Sequence, residues 1–284
     1  MKIIVFIGSR LNVFEELFAI RAELNFKKIF VLRNSLLHKT IDNFKVEYEL
    51  FDIKNSDKTK IVEYLKDEDF DMLISNGCPF ILPITELGKD TSKVLFINTH
   101  PSYLPYLKGK TPLNGVFMLD YDFIGATTHF MDSGIDSGNI IYQKKINLTE
   151  EIDQGLVYMI SFKLESFVFK KAFEILKKNK FCYCGKPQIG TGTYFNRFAD
   201  TFIINFQLDN SENIKKKVNS LGMTTMFNLI NIEDFDYKLH HCEVVVNRFL
   251  INLYADKIAG EIVYKYSDKM LIKTLDGLVK VSYI

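Results

Sequence analysis

An Asn-x-His pattern stands where a buried strand is predicted to end. Asn98 and His100 follow the apolar run at 94–97, and residues two apart in an extended backbone project to the same side. An amide N–H can stabilise a developing oxyanion, and an imidazole can move a proton. Asp136 stands in a later turn rich in Gly and Ser, where a carboxylate could orient the imidazole and favour its charged form. An amide donor beside an imidazole matches what acyl transfer needs.

The spacing alone leaves a second interpretation open. An asparagine after a strand can cap the local backbone, and a histidine nearby can satisfy its hydrogen bonds within the fold. The triplet alone does not decide between the two interpretations, but the elements before Asn98 and His100 show where in the fold it lies. Apolar runs predict strands at 2–7, 28–32, 46–51, 72–75 and 94–97.

Helical spacing of apolar residues separates these runs, at 13–20 and 61–65. Continuous apolar strands joined by helices indicate the α/β class, with a mostly parallel sheet and helices on both faces. Ligands bind such sheets beyond the carboxyl ends of the strands. The predicted position of Asn98 and His100 is therefore a ligand-binding position.

The pattern changes after the fifth strand. Residues 98–115 are rich in Pro, Gly, Tyr and Lys, which predicts an irregular loop. Two more strands at 123–131 and 140–146 flank the turn that carries Asp136, and a long amphipathic helix follows at 154–178. We predict a catalytic domain at 1–185.

The last part of the chain indicates a small C-terminal β-rich, β-barrel-like domain at 201–284. A helix at 213–221 precedes several closely spaced short strands, and that spacing is typical of a barrel or sandwich. The strands are predicted at 226–230, 238–246, 260–264, 270–273 and 279–283.

Composition narrows the function classes. The 284 residues include 36 Lys plus Arg against 35 Asp plus Glu, so the net charge of +1 gives no long-range attraction to nucleic acid or to an anionic membrane. No apolar run reaches the roughly 20 residues that span a bilayer. The four cysteines show no zinc spacing, which predicts no metal site and reduced thiols in a cytoplasmic protein. Cys78 is predicted to fill apolar space, and His129 and the 240–242 His-His-Cys run to be structural.

Four motifs then resemble the family of formyltransferases that use 10-formyltetrahydrofolate. They are N-T-H-P-S-Y-L-P at 98–105, G-K-T-P at 109–112, G-A-T-T-H-F-M-D at 125–132 and G-I-D-S-G-N-I-I at 134–141. The resemblance implies a Rossmann-like core and a catalytic trio of Asn98, His100 and Asp136. It also implies 10-formyltetrahydrofolate as co-substrate, without a metal. The family's folate-binding positions fall on Gly77, Cys78, Pro79, Phe80, Ile81, Leu82 and Asp132.

The acceptor amine is the second part of this hypothesis. G-T-G-T-Y-F at 190–195 resembles sugar-nucleotide N-formyltransferases, and Gly8-Ser9-Arg10 at a helix start favours an anion. We expect a nucleotide-linked amino sugar, with a dTDP-4-amino-4,6-dideoxyhexose as the candidate, for surface polysaccharide (O-antigen) synthesis. The expected partners are thus a sugar nucleotide and folate, with no nucleic acid and no membrane, and a homodimer is carried as a hypothesis. The candidate acceptor contacts are Ser9, Arg10, Tyr103, Lys108, Lys110 and Tyr194.

Two alternatives stay open. The sequence at 258–281 resembles the C-terminal domain of methionyl-tRNA formyltransferase, but charges in 201–284 are nearly balanced and no basic-aromatic stripe is visible. The other alternative is a catalytically silent folate- or nucleotide-binding module, against which the presence of all three catalytic residue types counts. A nicotinamide-dependent enzyme is disfavoured because no G-x-G-x-x-G follows the first strand.

Overall fold

The structure is a computed structural model, and it describes residues 1–223, 225–232 and 234–284. The chain divides into two compact units. The core unit comprises Met1–Lys110, Ile124–Ile146 and Ile160–Tyr194. The second unit comprises Thr111–Phe123, Asn147–Met159 and Phe195–Ile284.

A seven-stranded sheet forms the centre of the core unit. The strands run in the order β3-β2-β1-β4-β5-β6-β7. The first five pair in parallel, β6 runs antiparallel to β5, and β7 lies beside β6. The strands are β1 (Lys2–Gly8), β2 (Leu24–Leu32), β3 (Glu49–Phe51), β4 (Met72–Asn76), β5 (Leu95–His100), β6 (Phe123–Phe130) and β7 (Ile140–Asn147).

Helices cover both faces of this sheet. The strand β1 shows why: Ile4 and Phe6 point into one apolar cluster, and Val5 and Ile7 point into another, as the alternation of a strand requires. The first cluster includes residues of α1 and α5, and the second includes residues of α3. The helices of this unit are α1 (Leu11–Ala19), α2 (Leu36–Thr40), α3 (Asn55–Asp67) and most of α5 (Gln154–Lys178), with short 3₁₀ turns at Arg21–Glu23, Ile41–Phe44 and Ile84–Glu86. A 3₁₀ turn at Pro112–Asn114 and α4 (Gly115–Met118) belong to the second unit.

The second unit contains an antiparallel sheet of five strands within the described residues, in the order β10-β11-β12-β9-β8. Ile214 and Val218 lie one turn apart on α6 and pack against its apolar face. These elements are α6 (Ser211–Leu221), β8 (Asn228–Ile232), β9 (Phe235–Val244), α7 (Arg248–Leu253), β10 (Ile262–Tyr266), β11 (Lys269–Lys273) and β12 (Leu278–Tyr283), after a 3₁₀ turn at Ala199–Phe202.

The predicted fold class is confirmed: a mostly parallel sheet covered by helices on both faces, and a β-rich part near the C-terminus. The long helix has the predicted bounds, but the third strand is shorter than 46–51 and begins at Glu49. The second strand begins earlier, at Leu24, because its first residues alternate between buried and exposed positions where the prediction used only the continuous apolar run. The domain bounds 1–185 and 201–284, and the barrel-like form of the latter, stay predictions.

Within the part of the chain that the structure describes, no helix combines the length and the apolar character needed to cross a membrane.

Adjacent leucines in α2 test the packing of the core unit. Leu37 is 0% exposed, whereas its neighbour Leu36 is 54% exposed. We expect Leu37→Ala to lower the free energy of unfolding by about 2–5 kcal/mol, since it removes buried methyl groups and leaves a cavity. Leu36→Ala should change it by less than about 0.5 kcal/mol. Urea denaturation of both variants measures the difference, and equal losses would contradict this placement of α2.

Candidate active site

The three predicted catalytic residues come together at the carboxyl end of β5. Asn98 and His100 lie among the last three residues of β5, and Asp136 lies in the turn between β6 and β7. The His100 Nδ1 lies 3.5 Å from Asp136 Oδ2, and the Asn98 Nδ2 donates to Asp136 Oδ1 at 3.3 Å. The carboxylate is thus shared by the amide and the imidazole.

The imidazole of His100 lies between two acceptors. Its Nε2 is 2.9 Å from the Leu107 carbonyl oxygen, which is nearer than Asp136 on the opposite side of the ring. The neutral ring therefore carries its proton on Nε2, and Nδ1 keeps a lone pair. His100 is only 5% exposed, and burial lowers its pKa below the ordinary value, against the opposing effects of Asp136 and the Leu107 carbonyl. A buried, neutral histidine next to a carboxylate can accept a proton.

The carboxylate of Asp136 stays ionised. Burial raises its pKa, but His100, His129 and the Gly109 N–H together outweigh burial and hold the pKa below the ordinary range. The Gly109 N–H donates to Asp136 Oδ2 at 3.0 Å. The backbone at Asp136 has a φ of 50°, a left-handed conformation that aspartate tolerates better than most residues.

His129 also belongs to this cluster, which the sequence interpretation of a purely structural histidine missed. It lies opposite Asn98 in the β5–β6 ladder, and its Nδ1 donates to the Phe130 carbonyl at 2.7 Å. Its Nε2 therefore accepts from Asn98 Nδ2 at 3.2 Å and lies 3.5 Å from Asp136 Oδ1. The signal that could have found it is the register: a histidine on β6 paired with Asn98 must face the same side of the sheet.

The predicted folate-binding residues lie in the loop after β4 and in the β6–β7 turn. Gly77 has a φ of 69°, and a Cβ there would lie 2.4 Å from Ser9 Oγ, so the close approach requires glycine. Phe80 packs on Phe51, Leu82 is buried, and Pro79 is half-buried, whereas Ile81 is exposed. Asp132 organises its turn by accepting from the Gly134 N–H and the Ser137 hydroxyl. The role of this loop and turn in binding folate stays a prediction.

Cys78 shows no sign of nucleophilic activation. Burial raises the pKa of its thiol to about 12. Its side chain packs at the edge of the apolar cluster that includes residues of α3. This surrounding fits the predicted role of an apolar filler.

Arg10 and Ser9, two of the predicted acceptor contacts, are engaged within the core unit. The guanidinium of Arg10 forms an ion pair with buried Glu165 and lies 4.8 Å from the centre of the Phe162 ring. Burial raises the pKa of Glu165 to about 7, against the opposing charge of Arg10. The Ser9 hydroxyl donates to the Gly77 carbonyl at 2.7 Å. These contacts compete with a phosphate for both side chains.

Lys108 and Tyr194, two more of the predicted acceptor contacts, are brought together. Lys108 is 7% exposed, and its Nζ lies 5.5 Å from the centre of the Tyr194 ring. Among the residues that the structure describes, no carboxylate pairs with this ammonium group. Tyr103 is half-buried, and Lys110 is exposed at the end of the same loop.

The described residues contain no group of three or more His, Cys, Asp or Glu side chains that could hold a metal ion.

An α/β fold with an amide, an imidazole and a carboxylate at the end of its sheet defines a protein suited to acyl transfer. The family model for formyl transferases matches residues 1–172. The chain belongs to the formyl transferase family, and the resemblance found in the sequence is confirmed.

Comparison with individual proteins gives two kinds of relative. A methionyl-tRNA formyltransferase of Pelotomaculum thermopropionicum is 32% identical over 101 residues, which is 33% of this chain and 32% of that protein. The matched segment thus spans about a third of this curated relative's length.

Two solved structures share the fold over the whole chain. WlaRD, described as a sugar 3N-formyl transferase in the presence of dTDP and 5-N-formyl-THF, has a TM-score of 0.70 at 19% identity, covering 100% of this chain and 98% of that one. An N-formyltransferase from Helicobacter canadensis, in complex with folinic acid and dTDP-3-aminofucose, has a TM-score of 0.67 at 18% identity and 100% coverage of both chains. At these identities the likeness establishes the fold.

The contact between His100 and Asp136 predicts a pH effect. Burial lowers the pKa of His100 and the Asp136 carboxylate raises it, so Asp136→Asn should lower this pKa further. NMR titration of the imidazole resonances measures this, with His100 assigned by its loss in a His100→Gln variant. Asp132→Asn, in the same turn, is the control and should leave the His100 midpoint in place. An unchanged midpoint in Asp136→Asn would show that the two groups do not interact.

Proposed function

We propose that the protein transfers a formyl group from 10-formyltetrahydrofolate to the primary amine of a nucleotide-linked amino sugar. The observation that carries formyl transfer is the cluster of Asn98, His100 and Asp136 in a chain of the formyl transferase family. The bound folate would supply an electrophilic formyl carbon.

His100 acts first as the base and then as the acid in this proposal. It takes a proton from the attacking amine as the new C–N bond forms, and it returns the proton to the folate nitrogen as the bond between that nitrogen and the formyl carbon breaks, so that tetrahydrofolate leaves. Its neutral ring has a lone pair at Nδ1, and a proton accepted there from the attacking amine gains Asp136 as an acceptor 3.5 Å away. The other N–H of the resulting imidazolium already donates to Leu107. Both N–H groups of the charged ring are then satisfied, which offsets the burial that keeps the resting ring neutral.

Asn98 stabilises the oxygen that becomes negative. Both hydrogens of its Nδ2 point at protein acceptors, His129 Nε2 at 3.2 Å and Asp136 Oδ1 at 3.3 Å. These distances are long for hydrogen bonds, so one hydrogen can exchange its partner for the oxyanion at small cost. His129 holds the amide in the orientation that presents Nδ2.

The residues around the cluster fit a pteridine ring, which has apolar faces and a polar edge. Exposed Ile81 and Ile135 stand on the loop and the turn beside the catalytic residues. Exposed apolar side chains beside backbone polar groups are usual in cofactor sites. These residues would hold the ring, and the catalytic groups would orient the acceptor.

Lys108 supports an anionic acceptor. Burying an ammonium group without a carboxylate is costly, and an anion that binds there would remove the cost. The backbone of its neighbour Leu107 contacts His100, and the backbone of Gly109 contacts Asp136. The positive charge of Lys108 therefore lies on the same loop, residues 105–109 (the catalytic loop), that contacts the catalytic residues. A sugar nucleotide supplies a diphosphate on the molecule that carries the amine, and the tyrosine ring of Tyr194 offers a stacking surface.

The second candidate acceptor is methionyl-tRNA, favoured by the curated relative that matches by sequence. A tRNA contact neutralises many phosphates and needs clustered positive charge. Acidic and basic residues are equal in number over 201–284. This balance favours the small acceptor.

Alanine substitution of the trio tests the formyl chemistry. Asn98→Ala, His100→Ala and Asp136→Ala should each lower kcat, by about 10²–10³ for the oxyanion donor. Formyl transfer to dTDP-, UDP-, GDP- and CMP-linked amino sugars and to methionyl-tRNA, with 10-formyltetrahydrofolate, gives the readout. His241→Ala, at an exposed histidine of β9, is the control and should keep full activity. Unimpaired kcat in all three trio variants would refute the assignment.

Lys108 tests the acceptor class. Lys108→Met should raise KM for the sugar nucleotide by roughly tenfold to a hundredfold, because a charge-assisted contact to phosphate is lost in ground state and transition state alike. Its kcat should change less, and Lys108→Arg should restore most of the affinity. Efficient formylation of methionyl-tRNA without turnover of any amino-sugar nucleotide would overturn the proposed acceptor and leave the formyl chemistry in place.

A further inference from the structure

Thr193, in the segment after α5, forms three hydrogen bonds to the catalytic loop. Its Oγ1 accepts from the Leu107 N–H at 2.9 Å, and its carbonyl accepts from the Lys108 N–H at 2.8 Å. Its own N–H donates to the Pro105 carbonyl at 3.2 Å. The contacts bracket Leu107 on both sides, so one residue fixes the backbone of the whole turn.

The turn needs such support because its backbone is strained. Leu107 has a φ of 56° and is buried, and a left-handed conformation is unfavourable for a residue with a branched side chain. Such conformations persist only where surrounding contacts impose them. Gly192 lets the segment come close: a Cβ on it would lie 2.1 Å from the Pro105 carbonyl oxygen.

The strained turn contacts both members of the proton-transfer pair. The Leu107 carbonyl faces His100 Nε2 at 2.9 Å, and the Gly109 N–H donates to Asp136 Oδ2 at 3.0 Å. The first contact places the single proton of neutral His100 on Nε2, and the second favours the ionised carboxylate. The conformation of Leu107 thus decides which ring nitrogen carries the lone pair.

We propose that Thr193 is a positioning residue for proton transfer, because it holds Leu107 in the conformation that directs the His100 proton to Nε2 and leaves Nδ1 beside Asp136. The inference rests on the proposed function for its catalytic consequence. Thr193 touches neither reacting group, and it acts through the backbone of the turn.

Several groups act on the pKa of His100. Burial lowers it most; Asp136 raises it, whereas His129 on β6 and Arg10 at the start of α1 lower it. The hydrogen bond with the Leu107 carbonyl also raises it. Loss of that carbonyl therefore moves the titration of His100 to lower pH.

Thr193→Val is the test, because valine keeps the shape and the two main-chain hydrogen bonds and removes Oγ1 alone. We expect kcat to fall roughly tenfold to a hundredfold with KM nearly unchanged. The acid limb of the kcat profile and the NMR midpoint of His100 should both move down by about half to one pH unit. Thr193→Ser restores the hydroxyl and should restore both properties.

Two further variants complete the experiment. Thr59→Val, at an exposed threonine of α3, is the matched control and should behave as the wild type. Gly192→Ala should reproduce the Thr193→Val shifts by pushing the segment off Pro105, and it provides a second route if Thr193→Val folds poorly. Wild-type kcat and an unmoved His100 midpoint in folded Thr193→Val overturn the inference.

The two proposals fail in distinguishable ways. If the wild type transfers no formyl group to any acceptor, the proposed function fails. The imidazole titration then still tests whether Thr193 affects His100 through Leu107. If the wild type is active and the titrations of wild type and Thr193→Val coincide, the positioning role alone is wrong.

Discussion

The buried imidazole of His100 has acceptors at both nitrogens but a single proton when neutral. Burial favours the neutral ring, and the two acceptors favour the charged one. The proposed role of His100 as a base depends on both effects. The imidazole is neutral at rest, and after it accepts a proton both of its N–H groups have hydrogen-bond acceptors. The end of β5 and the loop of Leu107 that follows it must therefore be placed accurately against the β6–β7 turn, which is more distant in sequence.

Buried polar groups inside the core unit hold the end of β5 in place. The amide of Asn76, at the end of β4, donates to the Thr99 carbonyl at 3.1 Å and to Glu165 at 3.0 Å. Thr99 stands between Asn98 and His100, so this bond holds the strand segment that presents both side chains. Glu165 in turn pairs with Arg10, which ties α5 to the end of β1. A buried carboxylate left without such partners would be strongly destabilising.

The sequence predicted the parallel sheet and the positions of Asn98, His100 and Asp136, because strand alternation and strand ends are properties of local sequence. It could not predict that Arg10 pairs with Glu165, since periodicity does not report which helix faces a given strand end. The place of His129 follows from the register of β6 on β5, and an antiparallel register is set by tertiary packing. The left-handed backbone conformation of Leu107 could not be predicted from the sequence either, because leucine gives no local signal for it.

The match to the formyl transferase family ends at residue 172, whereas Thr193 and Tyr194 lie beyond it. The trio is therefore contained in the family region, and the contacts that hold the catalytic loop and lie beside Lys108 are supplied from outside that region. Such a division lets the donor chemistry stay constant while the acceptor site changes. The sequence match to a methionyl-tRNA formyltransferase covers 101 residues, whereas the fold shared with the two solved N-formyltransferases extends over the whole chain. Under the proposed function, the acceptor site would include the contact of residues 190–194 with the loop at 105–109, where Thr193 accepts from the Leu107 N–H and Tyr194 lies beside Lys108.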